Sequence, residues 1–291
     1  MQIISAVNVP LSNILASVTD AYSDYFVPMQ MDLRTFEKML GMRGFDSSLS
    51  MLAVEEDASG ATDIASFWLS AIEPEARPGI VYAITVGTCI AHRRKGLAQQ
   101  LYKRLAPRAR EAQLNSCLLE VIEGNDKAVD CYEGLGFKHQ MRVECFKGAA
   151  PTHESMNASI RKNIRFQTVS VEESHAAGNR FREWQPTWQH DTPAMAYISD
   201  DIQCSIAVQN GLPIAYGMVD PISGLVTQIA VDPKWRRKGI AKAMMAYWAQ
   251  KFDLSAMSAG NIPDTDKDTC GFYRALGWEN HVNQFVMQAK L

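Results

Sequence analysis

The chain writes one pattern twice. Arg93-Arg94-Lys95-Gly96-Leu97-Ala98 returns as Arg236-Arg237-Lys238-Gly239-Ile240-Ala241, an offset of 143 residues (236 − 93). The surroundings return with it. Leu97, Leu101 and Leu105 fall at i, i+4 and i+8, and the same offset lands on Ile240, Met244 and Trp248, so each basic loop opens an amphipathic helix. Each loop also follows a strand-like run, Ile80 to Thr88 and then Leu225 to Val231. Downstream, Tyr132-Glu133-Gly134-Leu135-Gly136-Phe137 is answered by Tyr273-Arg274-Ala275-Leu276-Gly277-Trp278, at an offset of 141 (273 − 132). A pattern kept in order over about fifty residues makes the chain two copies of one domain. The length of 291 residues suits two domains.

The expected boundaries are residues 1–148 for the first domain, 149–162 for a linker and 163–291 for the second. Gly148 to Asn157 is small and polar without an apolar period, as a linker should be. Copy one is expected to have helices at Leu11–Tyr22 and Leu33–Leu40, the latter capped by Asp32. Its strands are expected at Ser50–Val54, Ile64–Ala71 and Ile80–Thr88. The helix from Gly96 should bend or end near Pro107, which lacks an amide. A strand at Cys117–Ile122, a helix at Asp126–Glu133 and a strand near Met141–Phe146 complete it. Copy two, from about Ile164, should have strands at Gln203–Val208, Pro213–Val219, Gly224–Val231, Asp253–Met257 and His281–Gln288. The fold class is α/β with a mixed sheet in each copy.

Bulk chemistry removes several functions. With 29 Lys+Arg against 32 Asp+Glu the net charge is −3, too balanced for a protein that lives on a phosphate backbone, so a nucleic-acid partner is not expected. The longest apolar runs fall far short of the ~18 residues that span a bilayer, and Met1 to Ser5 lacks an export signature, so the expected home is cytoplasmic, without a membrane. The six cysteines form no Cys-x-x-Cys pair and no metal-like cluster, which makes them reduced thiols and leaves no expected metal.

The repeated loop itself can hold an anion. A strand that runs through free amides into a helix N-terminus points unpaired N–H groups and the helix dipole at one spot. Gly96 and Gly239 let an oxygen approach the backbone, Ala98 and Ala241 keep the next turn small, and Arg93, Arg94 and Lys95 add charge. There is no Gly-x-x-x-x-Gly-Lys-Ser/Thr loop and no Gly-x-Gly-x-x-Gly, so neither a P-loop nor a dinucleotide fingerprint is present.

Arg-x-x-Gly-x-Ala after a strand, followed by Asn125, Tyr132 and Leu135-Gly136-Phe137, resembles the GCN5-related N-acetyltransferase (GNAT) family, and its double occurrence resembles a tandem member. The resemblance implies two GNAT-like domains, each a twisted mixed sheet splayed between its fourth and fifth strands, with acetyl-CoA as cofactor in the opening. It places the diphosphate on the amides of Arg93, Arg94, Lys95, Gly96, Leu97 and Ala98, and on those of Arg236, Arg237, Lys238, Gly239, Ile240 and Ala241. It pairs the pantetheine arm with Val86, Gly87 and Thr88 in the first copy and with Ile229 to Val231 in the second. Asn125 would hold the cofactor, with Asn261 as the counterpart, and Tyr132 would approach the thioester sulfur, with Tyr273 as the counterpart.

Acetyl transfer to an amine needs a neutral nucleophile, and an amine of pKa about 10.4 loses its proton at pH 7 at a cost of roughly 4.6 kcal/mol. Glu120, five residues before Asn125, is the first candidate base, or a plain solvent-facing carboxylate; Glu123 is the weaker alternative. Tyr132 would protonate the leaving thiolate, or is a core aromatic. Tyr25, Met29 and Gln30, echoed by Trp184, Trp188, Gln189 and His190, would line an acceptor pocket or pack in the core. Asn125 precedes Tyr132 by 7 residues whereas Asn261 precedes Tyr273 by 12, and Ala256 falls where Glu120 stands, so the first domain is expected to carry the reaction. The expected partner is a small-molecule or peptide amine, and the assembly a monomer with pseudo-dimeric domains or a homodimer. A non-catalytic acyl-CoA-binding or regulatory module is the alternative.

Overall fold

The computed structural model describes residues 1–25, 30–56, 62–73, 75–152 and 163–291; the linker expectation from 153 onward, and Met29, lie outside them. Two compact units emerge: Met1–Gln140 with Phe285–Leu291, and Met141–Gln284.

Unit 1 contains β1 (Gln2–Ser5), α1 (Leu11–Ala21), α2 (Leu33–Met42), β2 (Phe45–Glu56), β3 (Thr62–Ile72), β4 (Ile80–Thr88), α3 (Leu97–Glu111), β5 (Ser116–Ile122), α4 (Asp126–Gly134) and the start of β6 (Lys138–Ala149). Strands β1 to β4 pair antiparallel in sequence order, and β5 lies parallel to β4. The Asp32 carboxylate caps α2 by accepting from Thr35 N at 2.8 Å. Helix α3 does not stop at Pro107: its buried stripe of Leu101, Leu105 and Ala109 holds it on the sheet, so losing one amide does not end it. The short β1 was not legible in the sequence.

Unit 2 contains β7 (Arg165–Thr168), α5 (Val171–Phe181), α6 (Thr192–Tyr197), β8 (Gln203–Gln209), β9 (Leu212–Val219), β10 (Leu225–Val231), α7 (Ile240–Phe252), β11 (Ala256–Pro263), α8 (Lys267–Ala275) and the start of β12 (Glu279–Lys290). Its sheet order is β7-β8-β9-β10-β11 and then β6. Asp253, expected to open a strand, is instead the left-handed residue that ends α7, at φ 55°, and β11 starts at Ala256.

The last strand of each unit comes from the other repeat. Residues 143–149 of β6 pair antiparallel with β11, and Phe146 stacks on Tyr273 at 5.5 Å within the core of Met244, Trp248 and Trp278. Met287 and Ala289 of β12 join Trp68, Leu101 and Cys117 in the core of unit 1, and Leu291 N donates to Asn115 O at 2.9 Å. A contiguous cut at Gly148 therefore divides the sequence repeats, whereas the packed units divide at Met141 and Phe285. Both borrowed side chains are fully buried. Phe146→Ala should cost about 3–5 kcal/mol and Met287→Ala about 2–5 kcal/mol in urea unfolding followed by tryptophan fluorescence. Losses under 1 kcal/mol would contradict this packing.

Candidate functional site

In both units a parallel strand pair starts and then parts. Strand β4 pairs with β5 only from Ile80↔Ser116 to Ala83↔Leu119, and β10 with β11 only at Leu225↔Ser258 and Val226↔Ala259. A bulge sits where each pair separates. On β4 the register against β3 slips at Ile84, and on β10 the register against β9 slips at Thr227, 143 residues later (227 − 84). A bulge adds twist and bends its strand, which turns β4 and β10 away from their parallel neighbours.

Beyond the bulge, alternate peptide groups face the gap. Cys89 N donates to Ala65 O and Asp232 N to Ile214 O, both at 2.9 Å, so strand alternation turns Val86 and Thr88, and likewise Ile229 and Val231, toward the opening. Gly87 faces β3, and its missing Cβ makes room for the Phe67 ring, which would lie 2.3 Å from such an atom.

The repeated loops share one geometry. Each begins with a 3₁₀ turn, Ile90–His92 or Pro233–Trp235. Arg94 and Arg237 have φ 65° and 61°, and Gly96 and Gly239 have φ 69° and 86°. No side chain caps α3 or α7, so their first amides stay open to an anion. Leu97 and Ile240 peg the helices into the cores, while Arg94, Lys95, Arg237 and Lys238 are exposed.

The first arginine of each loop does different work from the rest. Arg93 donates through Nε to Thr88 O at 3.4 Å, forks onto Asp24 with two 2.7 Å bonds, and reaches Ala21 O at 2.9 Å. Arg236 repeats this with Val231 O at 3.1 Å, Glu183 at 2.5 Å and Phe181 O at 3.2 Å. Arg93 also holds the Asp24 carboxyl below its ordinary pKa. These two side chains latch the end of the gap-facing strand to the end of α1 or α5.

A second bridge spans each gap. Asn125 caps α4 and donates through Nδ2 to Tyr25 OH at 3.1 Å. Its counterpart is Asp266, which caps α8 and accepts from Trp184 Nε1 at 2.8 Å. Asp266 precedes Tyr273 by 7 residues, as Asn125 precedes Tyr132, so the spacing from helix cap to tyrosine is the same in both copies. Asn261 instead lies in β11 at φ 58° and is 3 % exposed; its carboxamide donates to Thr187 Oγ1 at 2.9 Å and accepts from Gln284 Nε2 at 2.7 Å. It stands five residues before its helix cap, where Glu120 stands before Asn125. A carboxamide thus replaces the candidate base in unit 2.

Glu120 is half-buried on β5, facing away from the core formed by Cys117, Leu119 and Val121, and Glu123 is exposed. Tyr132 packs edge-on against Trp68 at 6.0 Å, and burial pushes its ionisation well up. Tyr273 is stacked between Phe146 and Trp278 and is 1 % exposed. Trp188 is buried.

The gaps are filled differently. In unit 1 the Tyr22 hydroxyl donates to Val86 O at 2.9 Å and meets Thr85 Oγ1 at 2.8 Å; burial raises its pKa to about 12, so it stays a neutral donor. Arg43 takes Ile84 O at 3.3 Å, so three successive gap-facing carbonyls of β4 accept from the protein's own side chains. In unit 2 Arg182 holds the place of Tyr22 at the helix end and donates to Gln228 Oε1 at 3.4 Å. Among the described residues no side chain takes Ile229 O. A cavity of about 460 Å³ opens there, and its lining runs from Gln228, Ile229 and Val231 to Gly239, Ile240 and Ala241. Phe181, Trp184, Tyr216, Trp235 and Phe272 form its walls.

Among the described residues no three His, Cys, Asp or Glu side chains gather as a metal site, and no helix is long and apolar enough to cross a membrane. No curated protein matches the sequence. Over its full length the fold is similar to a tandem GNAT protein from the clavulanic acid biosynthesis pathway, at 13% identity and a TM-score of 0.72, covering 99% of this chain and 98% of that one. A GCN5-related N-acetyltransferase from Sphaerobacter thermophilus is similar at 12% identity and a TM-score of 0.73, with 99% and 95% covered. The glucosamine N-acetyltransferase region of a fungal multi-domain beta-N-acetylglucosaminidase matches at 15% identity and a TM-score of 0.73, with 99% and 38% covered. At these identities the likeness speaks for the fold. Family models supply the rest: residues 15–137 match the acetyltransferase (GNAT) family and residues 200–280 the acetyltransferase (GNAT) domain. With both repeats matched in sequence and both showing the parted strands, the chain belongs to the GNAT acyltransferases as a tandem member.

Proposed function

We propose that this protein is an N-acetyltransferase that moves the acetyl group of acetyl-CoA to a primary amine by direct attack in a ternary complex, with the cofactor seated in unit 2. The observation that carries the reading is the continuity of one cavity, from the strand edge at Ile229, whose carbonyl no side chain takes among the described residues, past Val231 to the uncapped N-terminus of α7. That combination fits a long ligand with an amide-bearing arm and a diphosphate. The amides of Gly239 to Ala241 would hold the diphosphate, with Arg237 and Lys238 adding charge, and the peptide groups of Ile229 and Val231 would pair with the arm. When bound, acetyl-CoA supplies an activated thioester carbonyl.

This moves the reaction from the first repeat, where the sequence placed it, to the second. Unit 1 keeps Glu120, Asn125 and Tyr132, yet Tyr22 ties up the carbonyl that the arm would use. Of the carboxylates that line the unit 2 cavity, Glu183 pairs with Arg236, Asp266 accepts from Trp184 and the α8 amide of Thr269, and Asp268 is exposed at 3.9 Å from Arg237. On this reading the amine loses its proton to water. A thiol of pKa about 8.5 leaves without a strong acid, so burying Tyr273 away from the cavity is no obstacle.

Acetyl-CoA at a hundred times its Kd should stabilise the protein by about 2.7 kcal/mol in a thermal melt. Gly239→Glu, which forces a carboxylate and a Cβ into the left-handed anion turn, should abolish both that shift and turnover; Gly96→Glu should leave both. The reverse pattern would return the site to unit 1, and no shift in the unaltered protein would remove the acyl-CoA reading.

The pH profile tests the proton account. The neutral fraction of the amine rises tenfold per pH unit below its pKa, so kcat/KM should climb with unit slope up to the acceptor's own pKa. A plateau beginning near pH 7 would reveal a base that the lining residues do not provide.

A further inference from the structure

Resting on the acyltransferase reading, the geometry points to an acceptor that carries a carboxylate beside its amine, read by Arg182. Arg182 ends α5 and lines the unit 2 cavity. Its Nη1 donates to Gln228 Oε1 at 3.4 Å and its Nη2 to Asn179 Oδ1 at 2.5 Å, both neutral acceptors. Among the described residues no carboxylate lies within ion-pair distance of it, and of those that line the same cavity Glu183 pairs with Arg236 and Asp266 accepts from Trp184. A guanidinium has five N–H donors in a planar fork matched to a carboxylate; two go to these amide oxygens, and the Tyr216 hydroxyl lies beside the same guanidinium.

The surroundings hold that fork still. Gln228, 5 % exposed, donates through Nε2 to His190 O at 2.6 Å, which turns its Oε1 toward Arg182 and toward the Tyr216 hydroxyl at 3.1 Å. Burial raises the Tyr216 pKa, so this phenol remains a neutral donor. The apolar walls Phe181, Pro186 and Ile229 weaken the competition from water for any charge that pairs with Arg182.

Position separates this cation from the cofactor's phosphates. Gln228 lies three residues before the end of β10, roughly 10 Å along the strand at about 3.3 Å per residue, and the anion turn at Gly239 lies beyond that end. Arg182 therefore sits toward the bulge at Thr227, the inner end of the gap, where an acyl group and its acceptor would meet. In unit 1 the uncharged Tyr22 holds this helix-end place, and the guanidinium of that gap, Arg43, comes from the end of α2 and donates to Ile84 O.

The test compares L-amino acids with their own carboxamides as acceptors, with each kcat/KM referred to the neutral amine because loss of the carboxylate also lowers the amine's pKa. The unaltered protein should favour the acid over the amide by tenfold or more in kcat/KM. Arg182→Gln should erase that preference mainly through KM, Arg182→Lys should keep part of it, and the thermal shift with acetyl-CoA should survive in both. Equal use of acids and amides by the unaltered protein, turnover of neutral amines alone, or cofactor binding with no amine acetylated would each overturn the proposal. Loss of the acetyl-CoA shift in Arg182→Gln would overturn it too, by making Arg182 a cofactor contact. Absence of both shift and turnover in the unaltered protein is a separate outcome, and refutes the acyltransferase reading itself.

Discussion

Two parallel strands that begin paired and then separate leave a row of peptide groups without partners, and the rest of each unit is arranged around that deficit. A buried peptide group left unpaired costs on the order of 1–3 kcal/mol, so something must reach into the gap. The bulges at Ile84 and Thr227 start the separation. The latches Arg93–Asp24 and Arg236–Glu183 fix its outer end. Between these points unit 1 supplies Tyr22 from its own helix, whereas unit 2 leaves Ile229 facing a cavity. One backbone device thus carries side-chain donors on its carbonyls in the first copy and lines a cavity in the second.

The divergence follows from few substitutions. Tyr22 becomes Arg182, Thr85 becomes Gln228, Phe67 becomes Tyr216, Gly87 becomes Ala230 and Asn125 becomes Asp266, all around the same gap. A phenol that reaches a strand carbonyl is exchanged for a guanidinium that stops at a side-chain amide. The paired latches are retained throughout, which shows that holding the sheet open and filling the opening are separable tasks.

What the sequence disclosed was local. The basic loops, the helix stripes that follow them and the strands that precede them could be read because periodicity and turn chemistry act over a few residues. The exchanged terminal strands could not: Phe146 and Met287 each continue their own repeat in sequence, and only long-range contacts place them in the core built by the other repeat. Arg93 and Arg236 read as anion ligands because a carboxylate sixty-nine or fifty-three positions earlier leaves no mark on the loop. Asn261 was matched to Asn125 by residue type, whereas counting seven back from Tyr273 leads to Asp266, a spacing present in the sequence all along. The preference for the first repeat rested on that mismatch.

The most direct measurement is crystallographic: difference density after acetyl-CoA is added. The account requires density for one cofactor in each chain, its arm beside the free edge of β10 at Ile229 and its diphosphate on the amides from Gly239 to Ala241. Density along β4 instead, with Tyr22 swung off Val86, would contradict it.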